Sequence, residues 1–154
     1  MYQPDHAAHT GQTAHHDDRV QYLVVGDESS LSELEAELAM LPLCARGRVF
    51  IETDGVSDVA LLAAPMRMTI TWLPRAARSG RPGTASACAP GEAVGRAVRA
   101  WTAEMLCDGP GATRALLTGD YRTVSAVYDH LIDTVGMAPD AVATPAAFGL
   151  RTAH

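Results

Sequence analysis

The chain has 154 residues, of which 47% are hydrophobic, enough to bury the core of one domain. Its formal net charge of −6 argues against a nucleic-acid binder that works by neutralising phosphates. Apart from histidine every basic side chain is arginine, which reads as the bias of a GC-rich genome rather than as a functional mark. Cys44, Cys88 and Cys107 are far apart and odd in number, so reduced thiols are expected rather than a disulfide framework or a zinc site. The N-terminus has no apolar signal core and no segment is long enough to span a bilayer, so the expected location is the cytoplasm, without membrane contact.

Residues 1–18 are polar and lack periodicity, which predicts a flexible arm ahead of a single domain over 19–154. The arm carries His6, His9, His15 and His16 with Asp5, Asp17 and Asp18. Such groups can gather a transition metal, but no spacing fits a built site and a solvated tail is the plainer expectation. A first strand is predicted over Arg19–Gly26, where Leu23, Val24 and Val25 form an apolar run typical of a strand covered on both faces. Gly26 is the natural turning point. Ser30 with Glu33 fits a capping box, and Leu31, Leu34, Leu38 and Leu41 then repeat at helical spacing to Leu41. A strand that feeds a helix in this way presents amide N–H groups and a positive dipole end, a seat for phosphate or pyrophosphate.

Pro42 stops the helix, and the next strand runs over Arg48–Thr53 with Val49, Phe50 and Ile51 as its apolar stretch. Glu52, at its C-terminal end, either binds the ribose hydroxyls of a dinucleotide or hydrogen-bonds nearby loop amides. A variable loop reaches Pro65, and a third strand, Arg67–Leu73, ends at Pro74. Residues 75–90 read as a long, mobile surface loop. Its Arg75, Arg78 and Arg81 either meet an anionic ligand or are simply solvated. A helix over Glu92–Leu106 places Val94, Val98, Trp101 and Met105 on one core stripe. The fourth strand is Ala112–Thr118, with its turn at Gly119-Asp120. A helix over Tyr121–Val135 turns Val124, Val127, Tyr128, Leu131 and Val135 inward, and Gly136 caps it. Ala141–Phe148 predicts a last strand, irregular because of Pro145.

Strands alternating with helices predict an α/β fold, a doubly wound, five-stranded parallel sheet of Rossmann-like type with helices on both faces. Right-handed crossovers make 3-2-1-4-5 the simplest strand order. The turns Gly26-Asp27-Glu28-Ser29 and Gly119-Asp120-Tyr121-Arg122 then meet at the switch point, where open α/β sheets bind ligands.

Gly26-Asp27-Glu28-Ser29-Ser30-Leu31 resembles the Gly-Asp-Glu-Thr-Ala-Leu-Pro signature of the C-terminal domain of siderophore-interacting proteins. The likeness continues through Ala45–Glu52 and Ile70–Leu73, and returns at Leu117-Thr-Gly-Asp-Tyr-Arg122. It departs at Ser29 for Thr, at Ser32 for Pro, and near the C-terminus, where Phe148 and Arg151 stand for a family aromatic segment. The resemblance implies a ferredoxin-reductase-like, NAD(P)H-binding module without the family's flavin-binding barrel. NADPH or NADH would then be the cofactor, and FAD would come only through a partner. The expected contacts are the pyrophosphate on the amides of Asp27, Glu28, Ser29 and Ser30, the ribose at Glu52, and the nicotinamide half near Gly119, Asp120, Tyr121 and Arg122. No residue set reads as an acid–base pair, an activated nucleophile or a fixed metal site. Two functions are therefore expected. One is a redox module serving a flavin-bearing protein in ferric-siderophore reduction and iron release. The other is a degenerate, non-enzymatic binding or regulatory domain linked to iron metabolism.

Overall fold

The computed structural model describes residues 20–150, so the histidine-rich arm and Arg151 lie outside the described residues. Five parallel strands form one sheet: β1 Gln21–Asp27, β2 Arg46–Thr53, β3 Arg67–Pro74, β4 Thr113–Leu117 and β5 Val142–Ala143. Their order is β3-β2-β1-β4-β5, as the crossover argument predicts. Three helices connect them: α1 Leu31–Met40, α2 Glu92–Met105 and α3 Tyr121–Asp129.

The period-two alternation of the central strand divides the core into two halves. Leu23 and Val25 join Phe50, Leu73, Ala115 and Leu117 under α2 and α3. Val24 points the other way, with Val49 and Ile51, under Leu34 and Leu38 of α1. Helices therefore cover both faces, because β1 leads leftward through α1 while β3 and β4 return through α2 and α3. Burying the six central side chains of β1 and β2, Leu23, Val24, Val25, Val49, Phe50 and Ile51, on both sides is what holds the C-terminal ends of these strands in fixed register. Asp27 stands beside Glu52, and Val25 beside Leu117.

Several local expectations are corrected. Ser30 precedes α1 but makes no side-chain cap, because its hydroxyl turns back toward the strand. The stripe on α2 ends at Trp101 and Thr102, and Met105 is half exposed. The last strand is only Val142–Ala143, since Pro145 has no amide to pair and a short 3₁₀ turn at Ala146–Phe148 follows. Residues 75–90 are folded on themselves rather than loose. A 3₁₀ turn covers Arg75–Ala77, Ser79 pairs with Ala87 in an antiparallel bridge, and Gly80 N–H donates to the Ser86 carbonyl (2.8 Å). Arg96 of α2 pins this hairpin by donating to the Ser79 carbonyl (2.7 Å) and to Cys88 Sγ (2.6 Å).

The third helix also departs from expectation, passing into a π-helical turn over His130–Thr134. The turn carries the His130 ring to α2, where Nε2 lies 2.9 Å from Thr102 Oγ1. Burial, and then the charge of Arg99, push the imidazole pKa below its ordinary 6.5. The unfolded chain therefore takes up a proton that the folded one resists. This contribution to stability is complete above about pH 6.5 and is lost as pH falls below it, toward the depressed folded-state value. Urea midpoints at about pH 7.5 and about pH 5 should fall further apart in the wild type than in His130→Gln.

Candidate functional site

The C-terminal edge of the sheet brings the two predicted turns together, and Asp27 is the side chain that joins them. One carboxylate oxygen accepts from the Ser29 amide (2.9 Å) and the Ser29 hydroxyl (2.6 Å). The other accepts from the amide of Asp120, across the sheet (2.9 Å). Thr118 completes the joint. Its amide and hydroxyl both donate to the Val25 carbonyl, at 2.8 Å and 3.0 Å. Its Oγ1 also lies 3.1 Å from Ser30 Oγ. Asp27, Ser30 and Thr118 are all buried, so these bonds form in a low-dielectric setting where each counts.

The two glycines serve this joint in different ways. Gly119 has φ +115°, and a Cβ there would strike the Asp27 carboxylate. It supplies both the left-handed backbone and the close approach. Gly26 is an ordinary strand residue instead of a turning point. A Cβ there would lie 3.0 Å from Thr118 Oγ1 and 3.2 Å from Leu34, so its glycine lets α1 and β4 close in.

Glu52 has a structural partner set. It is 2% exposed. One oxygen accepts from Gly91 N–H (2.6 Å) and Arg75 (3.2 Å), and the other from Val94 N–H (2.9 Å). A residue of β2 thus caps the N-terminus of α2, where amide donors and the dipole both favour a carboxylate. Arg75 leaves the end of β3 to sit among three acids: Glu28 (2.6 Å), Glu52 (3.2 Å) and Asp54 (3.3 Å). Hydrogen bonding to Glu28 first, and then to Glu52, against the opposing effect of burial, holds its guanidinium firmly protonated. Thr118 and Asp54 are not among the residues singled out from sequence. The available signal was the convergence of Asp27, Glu28, Glu52 and Asp54 on one sheet edge, which calls for a cation.

The fit of a dinucleotide pyrophosphate can be judged from these bonds. The amide of Asp27 donates to Ser30 Oγ (3.1 Å), and that of Glu28 to the Glu52 carbonyl (3.1 Å). The amide of Ser29 donates to the Asp27 carboxylate, and that of Ser30 to the Asp27 carbonyl (3.1 Å). All four expected donors are engaged, and the neighbouring side chains are carboxylates. As folded, the β1 turn does not fit a pyrophosphate.

The remaining candidates surround this joint. Asp120 caps α3 by accepting from Thr123 N–H (3.1 Å). Tyr121 is exposed and meets Phe148 edge to face, with ring centroids 5.3 Å apart. Arg122 is exposed beside them. On the α1 side, Thr118 and Leu116 floor a cavity of about 460 Å³ rimmed by Glu33, Glu37 and Pro145. No metal-binding group of three or more His, Cys, Asp or Glu occurs among the described residues. No described helix is long and apolar enough to cross a membrane.

Comparison with known proteins adds the decisive observation. The family described as siderophore-interacting protein matches residues 20–146, most of the chain. This chain belongs to the siderophore-interacting protein family. An uncharacterised protein of Mycobacterium tuberculosis is 40% identical over 58 residues, covering 38% of this chain and 20% of the relative. A ferric vibriobactin reductase of Vibrio cholerae is 33% identical over 61 residues, covering 40% of this chain and 22% of the reductase. Among solved structures, the siderophore-interacting protein SipS of Aeromonas hydrophila superposes with a TM-score of 0.60 at 21% identity, over 80% of this chain and 43% of that one. A siderophore utilization protein from T. fusca gives 0.57 at 20% identity, over 80% and 42%. These structural likenesses share the fold, and the chain spans less than half the length of either.

Proposed function

We propose that this chain serves siderophore-linked iron metabolism as a binding module of its family, and that it does not reduce iron by itself. The observation that carries this reading is the closed β1 turn, whose four amides and flanking carboxylates leave no seat for a pyrophosphate. The ribose position is likewise taken, because Glu52 caps α2. Among the described residues, nothing at the sheet edge pairs an acid with a base in a way that moves a proton, and Asp27, the most central carboxylate, already accepts three hydrogen bonds.

A second reading keeps the chain in redox work, with NADPH or NADH bound here and FAD brought by a separate flavin-bearing protein acting on a ferric siderophore. The meeting of the Gly26 and Gly119 turns at the β1–β4 switch point favours it, as does the ferric vibriobactin reductase among its relatives. The two readings part in a simple assay. Purified protein is mixed with NADPH, free FAD and a ferric catecholate complex, and ferrous iron is trapped with a colorimetric chelator. The binding-module reading expects no ferrous iron above the protein-free control. Sustained turnover that depends on the protein would overturn it and establish the redox reading.

A further inference from the structure

The sheet has two edges, and they are unlike. At one, β5 offers only Val142 and Ala143 before Pro145, a short edge of the kind that resists further pairing. At the other, β3 runs for eight residues with β2 as its one strand neighbour. Between Arg67 and Pro74 it reads Met-Thr-Ile-Thr-Trp-Leu, without a charge, a glycine or a proline. A long, β-branched and aromatic edge of this kind invites another strand.

The free groups of the edge follow from the register. Residues of a parallel strand turn their backbone groups alternately to one side and the other. The Met68 amide leaves the ladder and donates to the Pro65 carbonyl (2.9 Å), so Met68, Ile70 and Trp72 turn outward. The Glu28 amide, which reaches the Glu52 carbonyl, sets the same parity from the far side of β2. Among the described residues, no other segment bonds to the backbone of Ile70 or Trp72. The loop before β3 places Leu62 and Ala64 in one cluster with Ile70 and Trp72, and leaves Leu61 and Met66 almost fully exposed beside the edge.

We infer that β3 is a self-association surface, where a second copy of this chain adds its own β3 antiparallel about a two-fold axis at Thr71. The two sheets then join into one of ten strands. In this register Ile70 exchanges both backbone bonds with Trp72 of the other copy, and their side chains form an aromatic–β-branched pair across the seam. Met68, whose amide is already spent, falls opposite Pro74, which has none, so no free amide is stranded. A second copy fits better than an arbitrary strand because the charges at the two ends are complementary. Exposed Arg67 at the start of β3 comes to the far end of the other β3, where Glu28, Glu52 and Asp54 outnumber Arg75. The contact is isologous and therefore closes at two copies.

Sedimentation equilibrium of the full chain tests this, and a monomer–dimer constant of about 10–100 µM is expected for so small an interface. Thr71→Lys and Thr71→Glu each set like charges face to face at the axis and should weaken the dimer about fivefold or more. An equimolar mixture of the two should recover it, which a misfolded variant could not do. In the wild type, hydrogen exchange at the Ile70 and Trp72 amides should slow about threefold or more between about 5 µM and about 500 µM protein. A wild type that stays monomeric at about 500 µM overturns the proposal. So does a dimer that both variants form within twofold of the wild type, or one that leaves exchange at Ile70 and Trp72 unchanged. None of these results bears on the ferrous-iron assay, because β3 pairing leaves the C-terminal sheet edge of each copy facing away from the other.

Discussion

Replacing Glu52 by alanine is expected to destabilise the fold by about 3 kcal/mol, near the lower end of what removing one partner of a buried ion pair costs. The residue is far from the water that could take its place, at 2% exposure. Its loss leaves the amides of Gly91 and Val94 without acceptors at the dipole end of α2, and takes one of three carboxylates from Arg75. For a chain of this size the thermal midpoint should fall by about 6–12 °C. Glu52→Gln keeps the shape and one strong acceptor oxygen, so it should fall by less. If Glu52 instead served mainly to hold a ribose, Glu52→Ala would leave the midpoint nearly unchanged, and scanning calorimetry of the three proteins distinguishes these outcomes.

Gly119→Val should be comparably damaging, for two independent reasons. At φ +115° a β-branched residue is strained whatever surrounds it. Its Cβ would also be forced within 2.9 Å of the Asp27 carboxylate carbon, driving apart the joint between β1 and β4. The combined cost is roughly 3–5 kcal/mol, the range of backbone strain added to a broken buried network. Gly119→Ala keeps the backbone strain and the Cβ contact with Asp27 but lacks the β-branch, and should fall between the wild type and valine in urea denaturation. Equal stability of Gly119→Val and the wild type would mean that the Asp27 bridge contributes nothing.

The sequence was most legible where one physical rule governed. Leu23, Val24 and Val25 could only be a two-face-buried strand, and the leucine spacing after Ser30 could only be a helix on one of those faces. Alternation of strands and helices, with the handedness of crossovers, was enough to give the strand order and the meeting of the two glycine turns. Legibility failed where two partners compete for one group. Ser30 and Glu33 have the spacing of a capping box, but the Ser30 hydroxyl binds the Asp27 backbone beside Thr118, a residue 88 positions away. Residues 75–90 carry no apolar periodicity, so their order depends on backbone bonds and on Arg96, which periodicity does not record.

By itself, then, the sequence determined the α/β class, the sheet order, the two core halves and the family resemblance, because burial and chain handedness act through local pattern. Only the tertiary structure decided how the polar side chains at the sheet edge are used. The amide of Glu28, the carboxylates of Asp27 and Glu52 and the charge of Arg75 find partners remote in sequence, while the amides of Asp27, Ser29 and Ser30 are taken within the turn itself, and together these bonds leave the β1 turn closed. Hydrogen bonding is directional and saturable, so a donor that suits a ligand on paper is unavailable once a neighbour in space has claimed it.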